Sequence, residues 1–175
     1  DHTGSLHNAD GIDVAALARH CREHGGIAGF AGAGAIGEED FWGVDCDIMI
    51  PAALEGQLDG PRAERIRARL VVEGANGPVN RRGDEVLLDR GITVVPDVIA
   101  NAGGVIVSYF EWVQDFSSFF WSEDEINQRL ESIQLRAFRD IQARAGALSV
   151  PLRTAAYVIA CQRVLQAREE RGLYP

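Results

Sequence analysis

Apolar positions along the chain change rhythm several times, and each change marks an element. After a turn at Asn8-Ala-Asp-Gly-Ile-Asp13, apolar residues recur at Val14, Leu17, Ala18 and Cys21, which is helical spacing. Asp13 is placed to cap that helix, and Gly25-Gly26 to end it just after Glu23. Ile27-Ala-Gly-Phe30 is a short apolar segment, residues 31–37 read as a loose Gly/Ala loop, and Glu38–Phe41 as a short acidic helix. Asp45-Cys-Asp-Ile-Met-Ile-Pro51 is expected to be a buried strand stopped by Pro51, continuing as Ala52-Ala53-Leu54, with a polar helix near Pro61–Ala68. Two further runs follow, Leu70-Val-Val-Glu-Gly-Ala-Asn-Gly-Pro78 and Ile92-Thr-Val-Val-Pro-Asp-Val-Ile-Ala-Asn-Ala-Gly-Gly104. Each is a β-branched stretch ending in small residues and one Asn, and a helix around Gly83–Arg90 separates them. Strands alternating with helices at this spacing predict βαβ units and a mostly parallel sheet, an α/β fold.

From Ala102 the pattern becomes helical. An apolar helix over Val105–Val113 leads to the aromatic stretch Phe116-Ser-Ser-Phe-Phe-Trp121. Ser122-Glu-Asp-Glu125 is a capping box opening a long amphipathic helix that carries Ile126, Leu130, Ile133, Ala137, Ile141 and Ala145. A last helix after Ser149-Val-Pro151 carries Leu152, Ala155, Ala156, Ile159 and Val164. The expected division is therefore an α/β part over 1–121 and a helical segment over 122–175.

In an open parallel sheet, ligands sit in the crevice outside the carboxyl ends of the strands. The two Asn-bearing junctions read as the floor of such a crevice: small residues let a flat ligand touch backbone, and Asn76 and Asn101 offer amides that donate and accept, suited to a carboxamide or sugar hydroxyl. Ser108 lies on an otherwise apolar helix, one turn beyond Gly104 and Val105. Either its hydroxyl bonds its own helix carbonyl four residues back, or Val105 and Ser108 together present an apolar wall and a hydroxyl to a substrate.

Other features narrow the chemistry. Gly29-Phe-Ala-Gly32-Ala-Gly34 is glycine-rich but lacks the strand and helix that a dinucleotide fingerprint needs, so it reads as a flexible surface loop. His20 and His24 have metal-ligand spacing without an evident third ligand and read as a solvated face. His2 and His7 have no nucleophile context, and a hydrolase triad is not supported. Cys21, Cys46 and Cys161 are widely spaced and read as reduced, mostly buried thiols in a cytoplasmic protein. The net charge of −9 argues against nucleic acid or an acidic membrane as partner. All 17 basic residues are Arg, so no ε-amine is available as base or phosphate hook. The chain starts at Asp1, at a Gly-rich turn, as if a strand had just ended; an incomplete polypeptide is expected, with Asp1 either a turn residue or the acid at a strand end that binds a ribose.

The runs Val72-Glu-Gly-Ala-Asn-Gly-Pro78, Gly91-Ile-Thr-Val-Val-Pro-Asp97, Ile99-Ala-Asn-Ala-Gly-Gly-Val105 and Ser108-Tyr-Phe-Glu-Trp112 closely resemble the carboxyl-terminal half of hexameric glutamate dehydrogenases. Asp45–Leu54, the opening through Asp13, and Leu152-Arg-Thr-Ala-Ala-Tyr157 are similar to the same family. The resemblance implies an incomplete Rossmann-like sheet lacking its first strands, followed by C-terminal helices: a partial dinucleotide-binding domain over 1–121, with the glycine fingerprint and the substrate domain upstream. It implies NAD or NADP as cofactor, with Asp1 as ribose acid inclining the choice to NAD. The implied reaction is the reversible oxidative deamination of L-glutamate to 2-oxoglutarate and ammonia, in a hexamer when full length. By the same resemblance Ala52 and Ala53 line the cofactor groove, Asn76 and Asn101 approach the nicotinamide ribose and carboxamide, Ser108 binds the substrate's side-chain carboxylate, and Val105 lies against its methylenes. Leucine, valine and phenylalanine dehydrogenases share Asn-Ala-Gly-Gly-Val but as a rule lack the Ser-Tyr-Phe-Glu-Trp after it, so Ser108 favours glutamate. The family's catalytic Lys and Asp lie outside this chain, which alone is expected to be inactive. Val79-Asn-Arg-Arg-Gly-Asp84 departs from the family pattern, on what is expected to be a surface loop. The alternatives are another amino-acid dehydrogenase and a non-catalytic nucleotide-binding or interaction module.

Overall fold

Residues 1–172 are described by a computed structural model, and they open with a pairing that the hydrophobic pattern does not predict. β1 (Ser5–His7) pairs antiparallel with β2 (Gly34–Ile36), Leu6 opposite Ala35. Strands this short carry too little alternation to be visible, and β2 lies inside the expected Gly/Ala loop. Between them, α1 (Val14–His24) is capped as expected: the Asp13 carboxylate accepts the Ala16 N–H, and Gly25 ends the helix at a φ of 79°. Its apolar stripe is not covered, however. No residue of α1 is buried, and Val14 is 73% exposed. α2 (Glu38–Phe41) follows.

The main sheet contains β3 (Ile48–Met49), β4 (Leu70–Val72) and β5 (Thr93–Val95), parallel and in that order. The buried strand expected over 45–51 is corrected: β3 is two residues long at the sheet edge, and while Met49 enters the core, Ile48 and Ile50 on the other face are 51% and 58% exposed. Val71 of β4 is fully buried, as a central strand with neighbours on both sides should be.

The crossovers are helical. α3 (Gly60–Arg65) joins β3 to β4 and is capped by Asp59. α4 (Arg81–Asp89) joins β4 to β5, with the Asn80 side chain accepting the Gly83 N–H at 2.8 Å. Residues 79–84 are therefore not a surface loop: Val79 is buried, Asn80 is a cap and the rest is helix. After β5 come α5 (Asp97–Ala100), α6 (Gly103–Ser117), α7 (Glu123–Leu148) and α8 (Leu152–Arg171). The capping box at Ser122 and Glu125 forms in both directions. The helical segment expected to reach 175 is helix through Arg171, and residues 173–175 lie outside the described residues.

Two cores flank β5. One packs α3 and α4 through Leu58, Ile66, Val71, Val86 and Leu87, with Val94 at its margin. The other packs α5, α7 and α8 through Ile99, Ile141, Ala155 and Ala156, with Val95 at its margin. Adjacent side chains of a strand point to opposite faces, so β5 is the wall between the α/β part and the terminal helices.

Candidate functional site

The backbone beyond the carboxyl ends of the parallel strands converges on one cavity of about 820 Å³. The segment after β3 contributes Ala52 and Ala53, the loop after β4 contributes Gly74 and Asn76, and α5 and α6 contribute Asn101 and Val105. Five of the seven sequence-predicted site residues are thus brought together: Ala52, Ala53, Asn76, Asn101 and Val105. The loops are laced closely. The Gly74 and Ala75 N–H groups both donate to the Pro51 carbonyl at 3.0 Å, and a Cβ at Gly74 would lie 2.9 Å from that of Ala52. Glycine at 74 is what lets the two strand ends meet. Asn101 Nδ2 donates to Asn76 Oδ1 at 2.7 Å. The two amides therefore satisfy each other on one side and keep Asn76 Nδ2 and Asn101 Oδ1 for a ligand.

Beneath this floor lies a charged cluster that the sequence reading missed. Glu73, the residue after β4, is fully buried. Its Oε1 accepts from Arg153 Nη2 at 2.7 Å and its Oε2 accepts the Asp97 N–H at 2.8 Å. Asp97 Oδ2 in turn accepts the Gly77 N–H at 2.8 Å, and its Oδ1 lies 3.6 Å from Arg153 Nη1. Asp84 of α4 completes the ring, accepting from Arg153 Nη2 at 3.1 Å. Burial lowers the pKa of the Arg153 guanidinium, but its hydrogen bonds to Glu73 and Asp84 outweigh it and hold the group above the usual arginine value. The available signal was an acid just past each of two parallel strands, Glu73 directly after Val72 and Asp97 two residues after Val95. An acid there needs a partner.

The remaining candidates sit elsewhere. Ser108 is exposed, one turn along α6 from Val105 and on the same face, but it does not line the cavity. It makes no back-bond: among the described residues the side chain-to-backbone bonds within α6 come from Gln114 and Ser117. Asp1 is outside the cavity, and its carboxylate accepts from the Thr3 N–H at 2.8 Å, the Thr3 hydroxyl at 2.6 Å and the Ile27 N–H at 3.2 Å. His20 stacks on His24 with ring centres 4.2 Å apart, and its Nε2 lies 2.9 Å from the Ala28 carbonyl. The cysteines are free, but only half-buried at Cys21 and Cys46 and exposed at Cys161, so the expectation of mostly buried thiols is corrected. α1 has no buried residue, and α8 is exposed from Ala160 onward. Among the described residues no helix is long and apolar enough to cross a membrane.

Comparisons with known proteins agree on one neighbourhood. The family model for glutamate/leucine/phenylalanine/valine dehydrogenases matches residues 1–172. The chain is 44% identical to an NAD-specific glutamate dehydrogenase of Clostridioides difficile, covering 97% of this chain and 40% of that protein. It is 46% identical to the NADP-specific glutamate dehydrogenase A1 of Halobacterium salinarum, covering 100% of this chain and 42% of that one. Its structure superposes on the hetero-hexameric glutamate dehydrogenase of Thermus thermophilus, in a leucine-bound form, with a TM-score of 0.91 and 35% identity, over 98% of this chain and 40% of that chain. The chain thus spans less than half the length of the relatives it matches.

Proposed function

Because this chain belongs to the glutamate/leucine/phenylalanine/valine dehydrogenase family, we propose that it is the cofactor-binding portion of an NAD- or NADP-dependent glutamate dehydrogenase. The observation that carries the reading is the cavity at the carboxyl ends of the parallel strands, where Ala52, Ala53, Asn76, Asn101 and Val105 meet. Its residues fit a nicotinamide dinucleotide: the Gly74–Ala52 approach leaves no side chain at Gly74 to obstruct a ligand, and the free donor of Asn76 and free acceptor of Asn101 match the two ends of a carboxamide. Bound there, the dinucleotide supplies the acceptor for the hydride that leaves the α-carbon of L-glutamate. Ala52 and Ala53 keep the groove open, Asn76 and Asn101 orient the ring and ribose, Val105 packs on the substrate's methylenes and Ser108 donates to its distal carboxylate. Asp1 receives the adenosine ribose hydroxyls, favouring NAD over NADP. Orienting two reactants is a large part of catalysis, but a base is needed as well. The chain contains no Lys, and we expect no turnover by these 175 residues alone. In the full-length protein the partners are L-glutamate, 2-oxoglutarate, ammonia and further copies of the chain in a hexamer, in the cytoplasm.

The test is Ser108→Ala in the full-length protein. A hydrogen bond to a charged group contributes about 1.5–3 kcal/mol, so kcat/KM for glutamate should fall roughly 10- to 150-fold while that for leucine or valine is unchanged or rises. Equal losses for all three substrates would remove Ser108 from substrate selection. Failure of the unaltered protein to quench or enhance the fluorescence of a reduced dinucleotide would sink the cofactor assignment.

A further inference from the structure

The charged cluster under the cavity does work that the cofactor contacts cannot do for themselves. The loop carrying Asn76 and the helix leading to Asn101 are separate pieces of backbone, and their spacing decides whether one flat ligand can span both amides. Two carboxylates fix that spacing: Glu73 from the first piece grips the Asp97 N–H of the second, and Asp97 grips the Gly77 N–H of the first. This reciprocal clasp brings a fully buried acid, Glu73, beside a partly buried one, Asp97, which like charges resist. Arg153 sets a positive charge between them, reaching them from the first turn of α8 at 2.7 Å and 3.6 Å, and also pairs with Asp84 at 3.1 Å. A cation in a helix's first turn opposes the helix dipole, and Pro151 gives α8 no side-chain cap. Its placement is thus explained by the acids it meets, not by the helix it belongs to.

We propose that Arg153 is a positioning residue for the nicotinamide floor, holding Asn76 and Asn101 at the separation a carboxamide needs through Glu73 and Asp97; this rests on the cofactor-binding reading above. The test uses the full-length protein and its Arg153→Met, Arg153→Lys and Arg90→Met variants. Arg90 ties α4 to the Ala63 and Ile66 carbonyls of α3, away from the cavity, and serves as a control for general destabilisation. Arg153→Met should weaken reduced-dinucleotide binding or lower kcat at least tenfold, leave the KM for glutamate within twofold, and accelerate hydrogen exchange at the Gly77 amide. Arg153→Lys, which keeps the charge but not the fork, should recover part of each. Arg90→Met should lower the melting temperature and leave dinucleotide affinity alone. If Arg153→Met does not fold, Arg153→Lys carries the comparison, and a normal affinity with a normally protected Gly77 amide would overturn the proposal. So would an equal loss in Arg90→Met. If the unaltered protein binds no dinucleotide, the functional reading fails, while Gly77 exchange in the variants still decides whether Arg153 sets the floor.

Discussion

The arm formed by β1, α1 and β2 and the floor beyond β4 and β5 are both loop-rich, yet they are held by opposite means. In the arm the ties are exposed polar bonds: Thr3 Oγ1 accepts the Ile27 and Ala28 N–H groups at 3.1 and 3.2 Å, and Asn8 Nδ2 donates to the Gly32 carbonyl at 2.9 Å. None of its strand or helix residues is buried. In the floor, Val71, Leu87 and Glu73 are fully buried and the charged bonds are partly shielded by protein. Water competes fully for the first kind of bond and less for the second. A binding surface needs fixed geometry, and in this chain the fixed geometry lies where apolar burial and ion pairing coincide.

The largest test of that contrast is Leu87→Ala, which empties a fully buried site between α4 and the sheet. It should cost about 2–5 kcal/mol, read as a lower urea midpoint for the floor, with amide exchange across Val14–His24 unchanged. Next, Asp13→Ala removes the cap of α1 and should cost roughly 1 kcal/mol, seen as faster amide exchange across Val14–His24 while Glu73 and Gly77 keep their protection. If the floor exchanged faster by the same factor, the two regions would be one cooperative unit and the contrast would be lost. The smallest effect concerns Glu125, whose carboxylate is held below its usual range by the Ser122 N–H and then by the Ser122 hydroxyl. A depressed carboxylate contributes its stability above the unfolded pKa of about 4.3 and loses it as pH falls through the lower folded value. Below that window the first turn of α7 should fray, and Glu125→Gln should lessen the response of its helicity to acid.

The same contrast explains what was legible in the sequence. β4, β5, α4 and α7 announce themselves through β-branched runs, caps and a capping box, which are local instructions that the packing obeys. β1 and β2 do not, because their pairing joins residues about thirty positions apart with no apolar pattern to mark it. At the site, Asn76, Asn101 and Val105 were visible as polar and apolar ends of strand junctions, and Ala52 and Ala53 through family resemblance alone. Arg153 was hidden. It lies 80 residues from Glu73 in the chain, on a helix whose pattern speaks only of packing against α7. A long-range ion pair leaves no period to read.

Glu73's neighbour across the floor also fixes how the site responds to acidity. A guanidinium held above its usual pKa keeps its proton at every pH at which the sheet stays folded. In the proposed arrangement the cation that stands against Glu73 and Asp97, and through them against the spacing of Asn76 and Asn101, keeps its charge throughout that range. Whatever pH dependence ligand binding shows enters through groups other than that guanidinium.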